Sequence, residues 1–292
     1  MTEATRSDVA NGDMTVVAEF APLPTYTLQY AAGVGGYIEG TAKQRLVKGK
    51  EGSAVTAVAN EGYYFVKWSD GSTEATRSDI ALENMTLTAE FAEDKTVIYL
   101  DAGHGFANED GQIDKGTVDT VYKELTGKTE SDLNLEVALR VKEKLLALGY
   151  EVIMTRESES SEFVTVADRV ERVNSSNADL FISIHADSYA ADSSVKGCRV
   201  YYSSNNADAD ICMDYAQTVA NALNATEGAS LKKVSVKDHP NIAVLRGIAI
   251  PTVLVETCFL TSPEDAQQAT TEAWLDAMAS GICLGIVNQL AK

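Results

Sequence analysis

Residues 96–105 read TVIYLDAGHG. A β-branched apolar run ends in Asp101, and a short turn then sets His104 between two glycines. An apolar run of this length closed by turn residues suits a strand buried on both faces. Such strands belong to parallel sheets, so the stretch argues for an α/β fold. The pattern returns downstream as EVIMT at 151–155, LFISI at 180–184, CRVYYS at 198–203 and TVLVE at 252–256. Between these runs the periodicity predicts helices over about 131–148, 166–176, 208–223 and 272–290. In the first of them Leu133, Val137, Val141, Leu145 and Leu148 share one stripe, and Gly149 closes it. The expectation is a mostly parallel sheet flanked by helices, occupying residues 94–292.

The polar residues gather where such a sheet binds ligands, at the carboxyl ends of its strands. His104 lies just past VIYLD, His185 just past LFISI, and Glu256 ends TVLVE. Two of the three histidines in the chain therefore meet on one rim. Neutral imidazole is a preferred zinc ligand, and a catalytic zinc takes three protein ligands and a water. Plainer readings exist for each residue. The turn at His104 could bind an anion, although GHGFAN lacks the G-x-G-x-x-G spacing. His185 could be a satisfied core histidine. His239, between Lys237-Asp238 and Pro240, reads as a surface loop and not as a ligand.

A third ligand is left open by periodicity alone. Thr129 and Asp132 form a capping-box pattern, which puts Glu130 in the first turn of a helix, where it could merely complement the dipole. Glu124 is its rival, in a long loop over 105–129 that also holds Glu109, Asp110 and Asp114. Loops of that length are often functional, and gripping the substrate is the role expected of it, with a solvated insertion as the plain alternative.

The first part of the chain is of another kind. TEATRSDVANGDMTVVAEFA, beginning at Thr2, recurs as TEATRSDIALENMTLTAEFA, beginning at Thr73, 71 residues further on. Residues 1–21 are thus expected to be the tail of a truncated preceding repeat, and 22–93 one whole β-rich repeat. SAVTAVA, YYFVKW and MTLTAEF read as its strands, and MTVVAEF in the tail as a strand that could compete for the same sheet edge. Tyr63, Phe65, Trp68 and Phe91 are expected at the centre of a thin core, with Trp68 an anchor in preference to a sugar-stacking platform.

Composition narrows the function. With 24 Lys and Arg against 43 Asp and Glu, the net charge is −19. That balance repels nucleic acid and anionic membrane, and no apolar stretch is long enough to span a bilayer. The four cysteines form no CxxC and are expected to be buried and reduced, with a single disulfide as the alternative.

Four segments in one order carry a resemblance: IYLDAGHG, TESDLNLEVALRVKEKLLALGYEVIMTRE, ADRVERVNSSNADLFISIHAD and AVLRGIAIPTVLVETCFLTSPEDA. They resemble the zinc-dependent N-acetylmuramoyl-L-alanine amidases of the type-3 family. EGYYFVKWSDG with the following R-S-D and T-A-E-F resembles the internalin B-type repeats of Gram-positive surface proteins. The first resemblance implies a twisted, mostly parallel six-stranded sheet, Zn2+ as cofactor, and His104, Glu130 and His185 as its ligands. It implies Glu256 as catalytic acid/base, peptidoglycan as partner, and cleavage between N-acetylmuramic acid and L-alanine. A secreted or wall-located protein follows, with its signal peptide absent from this chain and a monomer as the expected state. Arg169 is expected to brace the sheet rim, and Arg246 to form an ion pair or meet a substrate carboxylate. A zinc peptidase or carboxypeptidase on the stem peptide, and a non-catalytic wall-binding protein, are the competing readings.

Overall fold

The computed structural model describes residues 5–9, 11–230 and 232–292. Its backbone divides into two compact units, Met1–Asp94 and Lys95–Lys292.

Among the described residues the first unit contains seven strands: β1 Thr25–Ala32, β2 Gly36–Gly40, β3 Lys43–Val47, β4 Val55–Ala59, β5 Tyr63–Trp68, β6 Thr76–Arg77 and β7 Met85–Glu93. They form a four-stranded sheet, β3-β1-β7-β5, and a three-stranded one, β2-β4-β6. Leu28, Tyr30, Val55, Trp68 and Leu87 make the core. Trp68 is wholly buried and its indole N–H donates to the Glu74 carbonyl at 3.0 Å, so it anchors the core. Phe65 and Phe91 pack against that core, whereas Tyr63 is half-buried over Gly35 and outside it.

The strand expected over residues 14–20 does not form. Residues 5–9 and 11–24 contain no strand, and Val17 and Phe20 are exposed. Residues 1–4 and Ala10 of the expected tail lie outside the described residues. The near-identical β7 is a strand because it lies between two partners, parallel to β1 and antiparallel to β5. Without such neighbours a strand leaves its backbone groups unpaired, whatever its side chains favour. Among the described residues of the tail, the local Arg6–Asp8 ion pair, at 2.8 Å, repeats the Arg77–Asp79 contact of the whole repeat.

The second unit runs β8 Val97–Ala102, β9 Phe106–Ala107, α1 Val121–Thr126, α2 Glu130–Ala147, β10 Glu151–Met154, β11 Ser160–Phe163 and α3 Val166–Asn174. It continues through β12 Leu180–Asp187, β13 Arg199–Tyr202, α4 Ala209–Ala225, β14 Ser235–Asp238, α5 Ala243–Gly247, β15 Thr252–Phe259, α6 Pro263–Ala269 and α7 Glu272–Leu290. The six-stranded sheet has the order β10-β8-β12-β15-β13-β14. β10, β8, β12 and β15 are parallel; β13 runs antiparallel to β15, and β14 parallel to β13. Alternate residues of one strand serve two cores. Ile98 and Leu100 join the layer with α2, α4 and α7, while Val97 and Tyr99 face α3 and α5. This two-sided burial is what the continuous apolar runs signalled.

Two boundaries differ from expectation in a way that matters. His185 and Glu256 lie inside β12 and β15, not at or past their ends, because the strands continue to Asp187 and Phe259. The sixth strand, β14, reads SVKD and is too polar and short to announce itself. All four cysteines are buried free thiols. Among the described residues no helix is long and apolar enough to cross a membrane.

Candidate metal centre

His104 enters the site from the turn after β8. Its φ of 62° makes it the one non-glycine residue at positive φ among the described residues. A left-handed backbone costs a side-chain-bearing residue about 1–2 kcal/mol, so the surroundings must hold it. Two arginines do so. Arg156 donates to the carbonyls of Ala102 and Gly103 at 3.0 and 2.9 Å, and Arg169 to that of His104 at 3.0 Å. Arg169 is itself locked to the buried Asp101 at 2.8 Å, and Ser183 donates to the other oxygen of that carboxylate at 2.6 Å. Arg169 thus braces the rim, as expected.

Glu130 is the first residue of α2. The Thr129–Asp132 capping box is formed and starts the helix at that point. One Glu130 oxygen lies 3.1 Å from His104 Nε2 and 3.1 Å from His185 Nδ1; the other accepts from the Thr117 N–H at 2.8 Å. The two imidazole rings stand edge to face with centroids 4.9 Å apart. Ligand atoms of His104, Glu130 and His185 all lie within 4.8 Å of one another. Glu124 is exposed on α1 and is not part of this cluster. His239 is exposed on its loop.

The donor set fits a divalent metal ion. Two ring nitrogens and a carboxylate oxygen converge on one point. Asp114 Oδ2 sits 2.7 Å from His104 Nδ1, the outer carboxylate that typically orients a metal-binding imidazole. A neutral imidazole donates from one nitrogen only. To satisfy both Glu130 and Asp114, the ring must be charged, or a cation must take the place of one proton. Burial works against a charged His104, but its hydrogen bonds to Glu130 and Asp114 outweigh that and raise its pKa. Burial likewise pushes the Glu130 carboxyl up, yet the two imidazoles overcome it and hold the group far below the carboxylate range. The backbone is also shaped to the cluster. A Cβ on Gly103 would fall 2.3 Å from the His185 ring, and one on Gly116 2.4 Å from a Glu130 oxygen.

Glu256 stands beside this cluster, in register with His185 on the neighbouring strand. Its Oε2 is buried without a hydrogen-bond partner. Burial, reinforced by the negative charges of Asp187 and Glu130, raises its pKa well above the usual carboxylate value.

A family model described as N-acetylmuramoyl-L-alanine amidase matches residues 98–288. The chain belongs to the N-acetylmuramoyl-L-alanine amidase family. A second model, the divergent InlB B-repeat domain, matches residues 26–95. The amidase AmiC of Neisseria meningitidis serogroup B is 30% identical over 230 residues, covering 66% of this chain and 52% of that protein. The amidase LytC of Bacillus subtilis is 30% identical over 191 residues, covering 65% of this chain and 35% of that protein. The chain thus spans about half of one relative and about a third of the other. The crystal structure of an N-acetylmuramoyl-L-alanine amidase from Clostridium difficile 630 superposes with a TM-score of 0.59 at 27% identity, covering 68% of this chain and 98% of that one.

In this family member a groove of about 630 Å³ leads to His104, His185 and Glu256, walled by Phe106, Phe163 and Val244. Phe106 and Phe163 come from a small parallel ribbon of β9 and β11. Arg246 is exposed on α5 and does not line the groove. The sequence reading did not assign Asp114 or Arg156 to the site. Arg156 directly follows the EVIMT run, so the strand-end logic that found His104 could have found it too. Asp114 comes from a loop without periodicity and left no such signal.

Proposed function

We propose that this chain is a zinc-dependent peptidoglycan hydrolase that cleaves the amide between N-acetylmuramic acid and the L-alanine of the stem peptide. The observation that carries this reading is the meeting of His104, Glu130 and His185 beside a buried, unpartnered carboxyl oxygen of Glu256. His104, Glu130 and His185 would hold the ion. When bound, zinc supplies Lewis-acid polarisation of a carbonyl and lowers the pKa of a water toward about 7.

The side chains supply the rest. Glu256 is the acid/base: it takes a proton from the attacking water and gives it to the leaving amine. A carboxyl whose pKa is raised toward neutrality suits both halves of that task. Asp114 keeps the ligating nitrogen of His104 aimed inward. The ribbon of β9 and β11 lines one side of the groove with Phe106 and Phe163.

This reading locates the protein outside the cytoplasm, at the cell wall. The repeat at 22–93 then serves as a spacer or wall-associated module beside a catalytic domain at 94–292. The test pairs zinc analysis of the purified protein with mass spectrometry of digested peptidoglycan. Stem peptides released with a free L-alanine amino group, in a zinc-dependent manner, are expected. Cleavage within the peptide would instead support the peptidase reading.

A further inference from the structure

His185, Glu256 and Arg199 form a row across three adjacent strands, β12, β15 and β13, each in register with the next. In-register residues of paired strands project to the same face. Arg199 therefore stands on the catalytic face, one strand beyond Glu256. We propose that Arg199 is the carboxylate anchor of the substrate, binding the free α-carboxylate of the acidic residue that follows L-alanine in the stem peptide. The inference rests on the amidase reading above.

The side chain is built to offer charge and is not used up by its neighbours. One nitrogen, Nη1, makes two long contacts, 3.3 Å to Asp187 and 3.4 Å to the Tyr201 hydroxyl. Nε and Nη2 have no protein partner among the described residues. These two nitrogens are one edge of the guanidinium fork, the edge that matches a carboxylate bidentately. The plane is kept in place by Phe259, whose ring lies 4.5 Å from Cζ. The side chain is one-third exposed and opens into a recess of about 150 Å³ shared with Asp187, Ser188, Tyr189, Val195 and Phe259.

Charge and reach agree with the assignment. The larger groove carries Glu109, Asp114 and Glu256, and its one arginine, Arg169, is already bound to Asp101. An anionic substituent is repelled there, whereas the recess on the β13 side sets Arg199 against a single carboxylate, Asp187. Neighbouring strands lie about 4.8 Å apart, and one residue of extended peptide spans about 3.5 Å. An amide held between His185 and Glu256 therefore places the carboxylate of the second residue within reach of Arg199. The glycan is left to the apolar wall of Phe106 and Phe163.

The test compares N-acetylmuramoyl-L-alanyl-D-isoglutamate with its isoglutamine counterpart, both capped as γ-methylamides, so that a free α-carboxylate in the first against an amide in the second is their one difference. The zinc-loaded full chain and its Arg199→Met and Arg199→Lys variants are assayed on both. The parent should favour the carboxylate substrate about tenfold in kcat/KM, mostly through KM, the scale of a hydrogen bond to a charged group. Arg199→Met should bring that ratio close to one, and Arg199→Lys, which keeps charge but not the fork, should fall between. A purely structural Arg199–Asp187 pair would shift the melting temperature and leave the ratio alone, which overturns the proposal, as does a parent without preference. Calorimetric binding of the two product dipeptides, L-alanyl-D-isoglutamate and L-alanyl-D-isoglutamine with the same γ-methylamide cap, reads Arg199 without turnover. If the parent cleaves neither substrate, the amidase reading fails. Tighter binding of the acid, lost in Arg199→Met, still supports the anchor in that case, and equal binding sinks it.

Discussion

Arg169 joins α3 to the strained turn that carries His104: one Nη donates to the His104 carbonyl at 3.0 Å while the other binds the buried Asp101 at 2.8 Å. The backbone conformation that aims the imidazole is thus held from outside the ligand set. Arg169→Lys keeps a charge but cannot bridge both acceptors. Its affinity for zinc should fall about 10–100-fold, the usual cost of losing an outer partner. Competition with a chelator measures this, and an unchanged constant would refute the role.

Asp114→Asn tests the other support of the same ring, the 2.7 Å contact at Nδ1. The amide keeps the shape and loses the charge that favours a ligating imidazole. A loss of zinc affinity in the same range of about 10–100-fold is expected. Because Asp114 is half-exposed in a loop, the melting temperature of the metal-free protein should move little.

Gly103→Ala would drive a methyl into the His185 ring at 2.3 Å. The ring must move, since the backbone carbonyl of Gly103 is pinned by Arg156. A misplacement of about 1 Å is enough to cost about 10²-fold in rate. Zinc content and amidase activity should both drop, as they should in His185→Ala; an alanine variant with full zinc and full activity would show that the close fit is unimportant.

Glu256→Gln separates binding from chemistry. The side chain keeps its volume but can no longer pass a proton. Turnover should decrease about 10²–10⁴-fold, with zinc content equal to that of the parent. Glu130→Gln should instead lose zinc and activity together.

In the repeat, Asp79 receives two hydrogen bonds from Arg77, at 2.8 and 2.7 Å, and one from Tyr30 at 2.8 Å. The bonds from Arg77 hold its carboxyl below the ordinary value of 3.8 in the folded state. Stability from this group is therefore present above about pH 4 and is lost as pH falls through the depressed folded value. Asp79→Asn should cost about 2 kcal/mol at neutral pH and flatten that acid limb. Urea unfolding of the full chain, followed by Trp68 fluorescence in a Trp274→Phe background, reads the effect. An acid limb identical in parent and variant would exclude Asp79 as its source.

Several features were legible because they are local or periodic. Helix α7 spans Glu272–Leu290, as its pattern predicts, and the Thr129–Asp132 box starts α2 one residue before the expected Ser131. Others depend on partners that a one-dimensional pattern does not contain. Residues 14–20 and β7 share nearly the same residues, yet only β7 has a strand on each side and only β7 is ordered as a strand. Strand β14 is polar and owes its conformation to pairing with β13. Strands β12 and β15 run past His185 and Glu256 because each continues to find a partner at the rim.

By itself the sequence determined the kind of fold and the donors available, since side-chain period and strand-end chemistry are properties of short segments. Only the tertiary structure decided that His104, Glu130 and His185 meet within 4.8 Å, and that Arg199 joins their row. The reason is register. Side chains far apart in the chain become neighbours only when strand pairing fixes their level and face, and no local preference carries that information.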